Sequence, residues 1–144
     1  MVRPCFLVID REFAGSISTR KLVIETAKFN VITAYSCGEA LATVERFPAV
    51  DGVVLDAGVR DLPADDVVNQ FKQRHPDLPV IVIRAVGAAD CPAADFHLNF
   101  FDPVKLLGLL QNLKPREAAA IEAHDQALAK QQIIEDVSDP MDEA

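Results

Sequence analysis

Three features of the chain point to an α/β domain built on a five-stranded parallel sheet. Short apolar runs alternate with stretches of helical spacing, two of those runs close on carboxylates at Asp10 and Asp56, and Gly58 and Pro63 mark the loop beyond the second. Alternating strands and helices imply right-handed crossovers and a sheet covered on both faces. In open sheets of this kind chemistry gathers outside the carboxyl ends of the strands. Asp56, closing Val53-Val54-Leu55-Asp56, is therefore the anchor of any site.

In chain order, Cys5-Phe6-Leu7-Val8-Ile9 reads as a buried first strand with Asp10 at its tip. Phe13 to Phe29 has helical spacing, with Ser16 or Ser18 available as a cap. Val31 to Ala34 is the second strand, and Gly38 to Phe47 the next helix, with Ala40, Leu41, Val44 and Phe47 on one face. Pro48 stops it, and Val53 to Asp56 is the third strand. Ala64 to Arg74 reads as a helix with Val67, Val68 and Phe71 inward, followed by a turn at His75-Pro76-Asp77-Leu78-Pro79 and a fourth strand, Val80 to Ile83. Residues 84–92 are poor in large apolar side chains. Phe96-His97-Leu98 is a fifth strand, Val104 to Leu113 a helix opened by Asp102-Pro103, and Arg116 to about Val137 an Ala-rich helix. Ser138 to Ala144 is polar and expected to be disordered.

Half of the 144 residues are apolar, enough for one core over residues 1–114 with an extension at 115–144. No apolar run is long enough to span a bilayer and no signal-peptide pattern opens the chain, so a soluble cytoplasmic protein is expected. Cys5, Cys37 and Cys91 are an odd count at unrelated spacings, which argues against a disulfide framework and a zinc site. His75, His97 and His124 are isolated. The formal charge of −8 is uneven: beyond Lys114, eight acidic residues stand against two basic ones, leaving only −2 on the body. No basic face for nucleic acid follows from that distribution.

The strand-end carboxylates and their spacing resemble the receiver domain of bacterial two-component response regulators, a flavodoxin-like (βα)5 fold, over roughly Pro4 to Leu113. Phe6-Leu7-Val8-Ile9-Asp10 is similar to that family's first strand, Val53-Val54-Leu55-Asp56 to its phosphoacceptor strand, Arg74 to Ile83 to its entry into strand four, and Phe101-Asp102-Pro103 to the start of its last helix. The resemblance implies that Asp56 holds the phosphoacceptor position, that a histidine kinase or an output domain is the partner, and that Mg2+ supports the transfer, which depends on positioning and electrostatic stabilisation.

The chain departs from that pattern where the chemistry lies. The family's second acidic residue after strand one is Arg11, with Glu12 one position further on; its hydroxyl residue after strand four is Arg84; its lysine after strand five is Asn99, followed by Phe100; and Arg60 replaces a proline. Asp10 and Asp56 remain. A guanidinium is always charged and pairs with carboxylates bidentately, so Arg11 or Arg84 is expected to reach Asp56 and occupy the metal's place. The expectation is a protein-interaction module without Mg-dependent phosphorylation and without enzymatic activity. The alternative is a working phosphoacceptor that holds Mg2+ through Asp10, Asp56, Glu12 and a backbone carbonyl. No motif points to a small-molecule ligand.

Fifteen positions separate Arg84 from Asn99, too few for the family's fourth helix and fifth strand, so that helix is expected to be shortened or missing. Apolar sheet near Val80 to Ile83 and Phe96 to Leu98 would then need covering. Leu113, Ala120, Ala127 and Ile134 repeat every seven residues, flanked by Ile121 and Leu128, which suits either a coiled-coil seam or a helix packed on its own domain. A homodimer through Phe96 to Phe101 and the last helices is the favoured arrangement.

Overall fold

The computed structural model describes residues 3–11, 15, 18–58, 62–84 and 91–138, with the backbone alone at 135–138. Its elements are β1 (Cys5–Ile9), α1 (Thr19–Thr26), β2 (Asn30–Ala34), α2 (Cys37–Arg46), β3 (Gly52–Asp56), α3 (Ala64–Arg74), β4 (Val80–Ile83), β5 (Phe96–Leu98), α4 (Pro103–Leu113) and α5 (Pro115–Ser138). All strand pairs are parallel, in the order β2-β1-β3-β4-β5. The sequence direction across the sheet reverses between β1 and β3, so a crevice opens at their carboxyl ends.

Alternation along the strands divides the core in two. Leu7, Ile9, Val53, Leu55, Val80 and Val82 face α2 and α3, packing on Ala40, Leu41, Val44, Val67, Val68 and Phe71. Phe6, Val8, Val54, Ile81 and Ile83 face the other way, onto Ile24, Phe29, Leu106, Leu110 and Ile121. Gly52 admits this packing, since a Cβ there would lie 3.0 Å from the Phe6 ring.

The helix boundaries follow from caps. Ser18 accepts from the Lys21 N–H and opens α1, so the helix begins well after Phe13, and Arg20 falls in its first turn. At the other end Lys28 adopts φ 66°, while Lys28 N donates to Glu25 O and Phe29 N to Ile24 O. These are the two bonds of a Schellman motif, here without glycine. Ser36 caps α2 through the Glu39 N–H, and Asp102 caps α4 through the N–H groups of Val104 and Lys105 with Pro103 at the first position.

Among the described residues no helix lies between β4 and β5; a turn closed by Ala94 N donating to Cys91 O stands there. The expected bare sheet does not follow. Val80, Ile81, Val82 and Ile83 are all buried, because Cys91 and Ala94 fill the space over one face and α4 covers the other. Nor does α5 lie across β5: its first half packs on α4, with Ala118 and Ile121 reaching the cluster of Ile24 and Phe29. The heptad expected on α5 is split by this packing, since Ile121 is buried whereas Ala120 and Ile134 are exposed. The extension continues to Ser138 as helix; the expected disorder of 139–144 lies outside the described residues. No helix among the described residues is long and apolar enough to cross a membrane.

Candidate functional site at the strand tips

Asp10 and Asp56 end neighbouring strands, and the register Ile9↔Leu55 places them side by side. Both are buried, at 0% and 5% exposure. Asp56 is the last residue of β3, and its Oδ1 accepts the Gly58 N–H at 2.8 Å. Gly58 also admits Arg11, because a Cβ there would meet Arg11 Cδ at 2.9 Å.

The cation on Asp56 is Arg20, which the sequence reading did not name. Its Nη2 lies 2.5 Å from Asp56 Oδ2, both side chains are nearly inaccessible, and the contact is ionic rather than an aligned hydrogen bond. The guanidinium also lies over the Phe101 ring, 5.0 Å from its centroid. The signal was present but hidden by the helix boundary. With α1 starting at Phe13, position 20 is mid-helix; with Ser18 as the cap, it is in the first turn, beside the strand tips.

The two arginines expected at Asp56 behave differently. Arg11 Nε reaches to 3.8 Å of Oδ2 with its side chain 56% exposed, a loose contact of small energetic weight. Arg84 instead donates to Asn99 Oδ1 at 2.5 Å, so of the two arginines, one or other of which was expected at Asp56, it is Arg11 that reaches it. The positions predicted to diverge from the family thus pair with each other. Glu12 and Arg60 lie outside the described residues.

Asp10 Oδ2 accepts from Ser18 Oγ at 2.5 Å, so one hydroxyl serves as helix cap and as donor to the buried carboxylate. A magnesium ion needs clustered, free carboxylate oxygens. Here Ser18 and Arg20 engage those oxygens, and a guanidinium fills the space between Asp56 and Phe101. These residues do not fit the ion, and the described residues contain no cluster of three metal-ligating side chains.

A crevice of about 340 Å³ opens above these groups, lined by Arg11, Arg20, Asp56, Ala57, Gly58, Ile83, Arg84, Phe100 and Phe101. Elsewhere, carboxylates secure the opposite end of the sheet: Asp51 accepts the Cys5 N–H and pairs with Lys114, and Asp95 accepts the Val80 N–H and pairs with Lys72. The three cysteines are free. Burial first, and the nearby Asp51 carboxylate second, raise the Cys5 thiol above its ordinary pKa.

The fold is that of response-regulator receiver domains. A receiver domain protein of Clostridium thermocellum superimposes with a TM-score of 0.69 at 23% identity, covering 81% of this chain and 98% of that one. A CheY-like receiver domain protein of Methanospirillum hungatei gives 0.65 at 20% identity, over 81% and 98% of the two chains. The beryllofluoride-activated NtrC4 receiver domain, solved as a dimer, gives 0.65 at 22%, over 78% and 98%. No family model matches the chain, and no curated protein matches it in sequence.

Proposed function

We propose that this chain is a cytoplasmic receiver-fold module that serves two-component signal transduction through protein contact, with no enzymatic activity and no Mg-dependent phosphorylation of its own. The observation supporting the reading is Arg20 against Asp56. A carboxylate must be free to attack a phosphoryl group, and the transferred group must be neutralised as it arrives. At Asp56 the attacking oxygen faces a buried, permanently charged guanidinium, while Gly58 engages the other oxygen. The likeness to receiver domains supports a signalling protein as the partner, a histidine kinase or an output domain. Phe100, 53% exposed in the lining of the crevice, and Val104, 79% exposed at the start of α4, are contact candidates.

Incubation of the full chain with Mg2+ and acetyl phosphate, followed by intact mass measurement, tests the reading. No mass gain is expected. A stoichiometric phosphoryl adduct that disappears in Asp56→Ala would overturn it and establish the phosphoacceptor alternative.

A further inference from the structure

From Gln126 onward α5 no longer packs on its own domain. Every described side chain from Gln126 to Ile134 is exposed, yet the helix runs unbroken to Ser138. A helical stretch of that length is marginal in water without tertiary packing, and this one leaves Leu128, Ile133 and Ile134 more than half exposed. The side of α5 that faces the domain is marked by Ala118 and Ile121. At about 3.6 residues per turn, Ala120, Ala123, Ala127, Lys130 and Ile134 fall on the opposite side, and all five are exposed. That outward face is therefore small near the domain and large at its far end.

Such a face complements itself in one orientation only. In a parallel pair like meets like: alanine faces alanine and leaves a gap, Lys130 meets its own copy, and the acidic residues that follow Ile134 (Glu135, Asp136, Asp139, Asp142 and Glu143) are drawn together. In an antiparallel pair Ile134 of one helix stands over Ala120 and Ala123 of the other, where the short side chains let the axes approach closely. The two acidic ends are then separated by the length of α5, about 36 Å. Each comes instead to the start of the other helix, where Arg116 is exposed, and Lys28, also exposed, shares a groove with Ile121 and Glu122. Shape and charge select the same orientation.

We propose that α5 is a self-docking surface on which a second copy of this chain seats its own α5, antiparallel and two-fold symmetric, along Ala120, Ala123, Ala127 and Ile134, with its acidic end against the first copy's Lys28 and Arg116. The inference adds a partner to the protein contact proposed above and is independent of the state of Asp56.

Sedimentation equilibrium of the full chain at low and at high salt tests the assembly, and cysteine cross-linking tests its orientation. A dimer is expected whose dissociation constant rises several-fold with salt, because opposite charges meet across it. Ala123→Glu/Ala127→Glu, two exposed positions at which glutamate is nearly as good a helix former as alanine, should weaken the dimer at least ten-fold while leaving the circular dichroism spectrum unchanged. Arg116→Glu should weaken it and flatten the salt dependence. Under mild oxidation Ala127→Cys should cross-link to itself, whereas Ala120→Cys and Ile134→Cys should cross-link only when the two variants are mixed, with the wild type and its Cys5, Cys37 and Cys91 as the background. A monomer at high micromolar concentration, an undiminished dimer in the folded double variant, affinity that rises with salt, or Ala120→Cys cross-linked to itself would overturn the proposal. None of these measurements involves a phosphoryl donor, so the assembly and the reading of Asp56 fail separately.

Discussion

Asp56 and Arg20 are each more than nine-tenths buried, and a pair of this kind is far more costly to break than to replace. Removing one partner leaves the other charge in a low-dielectric site. Arg20→Gln is therefore expected to lower unfolding stability by about 3–5 kcal/mol, whereas Arg20→Met/Asp56→Leu should be more stable than either single variant. Denaturant unfolding of the wild type, Arg20→Gln, Arg20→Met, Asp56→Leu and the double variant measures both effects. The Cys5 thiol gives a pH-dependent counterpart. Its raised pKa means that the folded state favours the neutral form, so its contribution is fully present below the ordinary thiol pKa and is lost as pH rises above it. Alkylation of Cys5 in the native protein at pH 8 should be slower than in the urea-unfolded chain, with the difference read by mass.

Among the elements, α1 shows most clearly how local chemistry sets the site. Ser18 stops the helix from starting earlier, and its hydroxyl donates to buried Asp10, so one side chain places Arg20 and holds the adjacent carboxylate. Ser18→Ala is expected to cost about 2 kcal/mol, combining a lost cap with a lost donor to a buried acceptor. At the other end of α1, Lys28 sits at φ 66°, a conformation that a Cβ disfavours by about 1 kcal/mol and glycine does not. Lys28→Gly should raise the melting temperature by a few degrees, and calorimetry would show it. The apolar runs of β1, β3 and β4 made the strands legible to within a residue, and Pro103 and Asp102 did the same for α4. What could not be read was the start of α1, where Ser16 and Ser18 were equally plausible caps and only tertiary packing of Asp10 distinguishes them. The identity of the arginine on Asp56 followed from that one boundary.

For the whole molecule, loss of the fourth helix was expected to leave apolar strands bare and so to require a partner. Cys91 and Ala94 remove that requirement, because these small buried side chains pack over Val80 and Val82 on one face of β4. Three exposed large apolar side chains fall together on the outer half of α5, at Leu128, Ile133 and Ile134, 52%, 61% and 66% exposed. Burying such surface contributes about 25 cal/mol per Å². If a homodimer forms, it should do so through this helix, so sedimentation of the full chain should give a dimer and a chain ending at Lys114 a monomer. A monomer at high micromolar concentration in both would exclude it.

The account turns on whether the crevice at the strand tips accepts a divalent cation or excludes it. Thermal unfolding of the full chain with and without Mg2+ at constant ionic strength decides this. A site with a Kd near 1 mM would gain about 1.4 kcal/mol at 10 mM ion. With Arg20 on Asp56, no Mg2+-specific rise in melting temperature is predicted. A rise of several degrees that is abolished in Asp56→Asn would contradict the account.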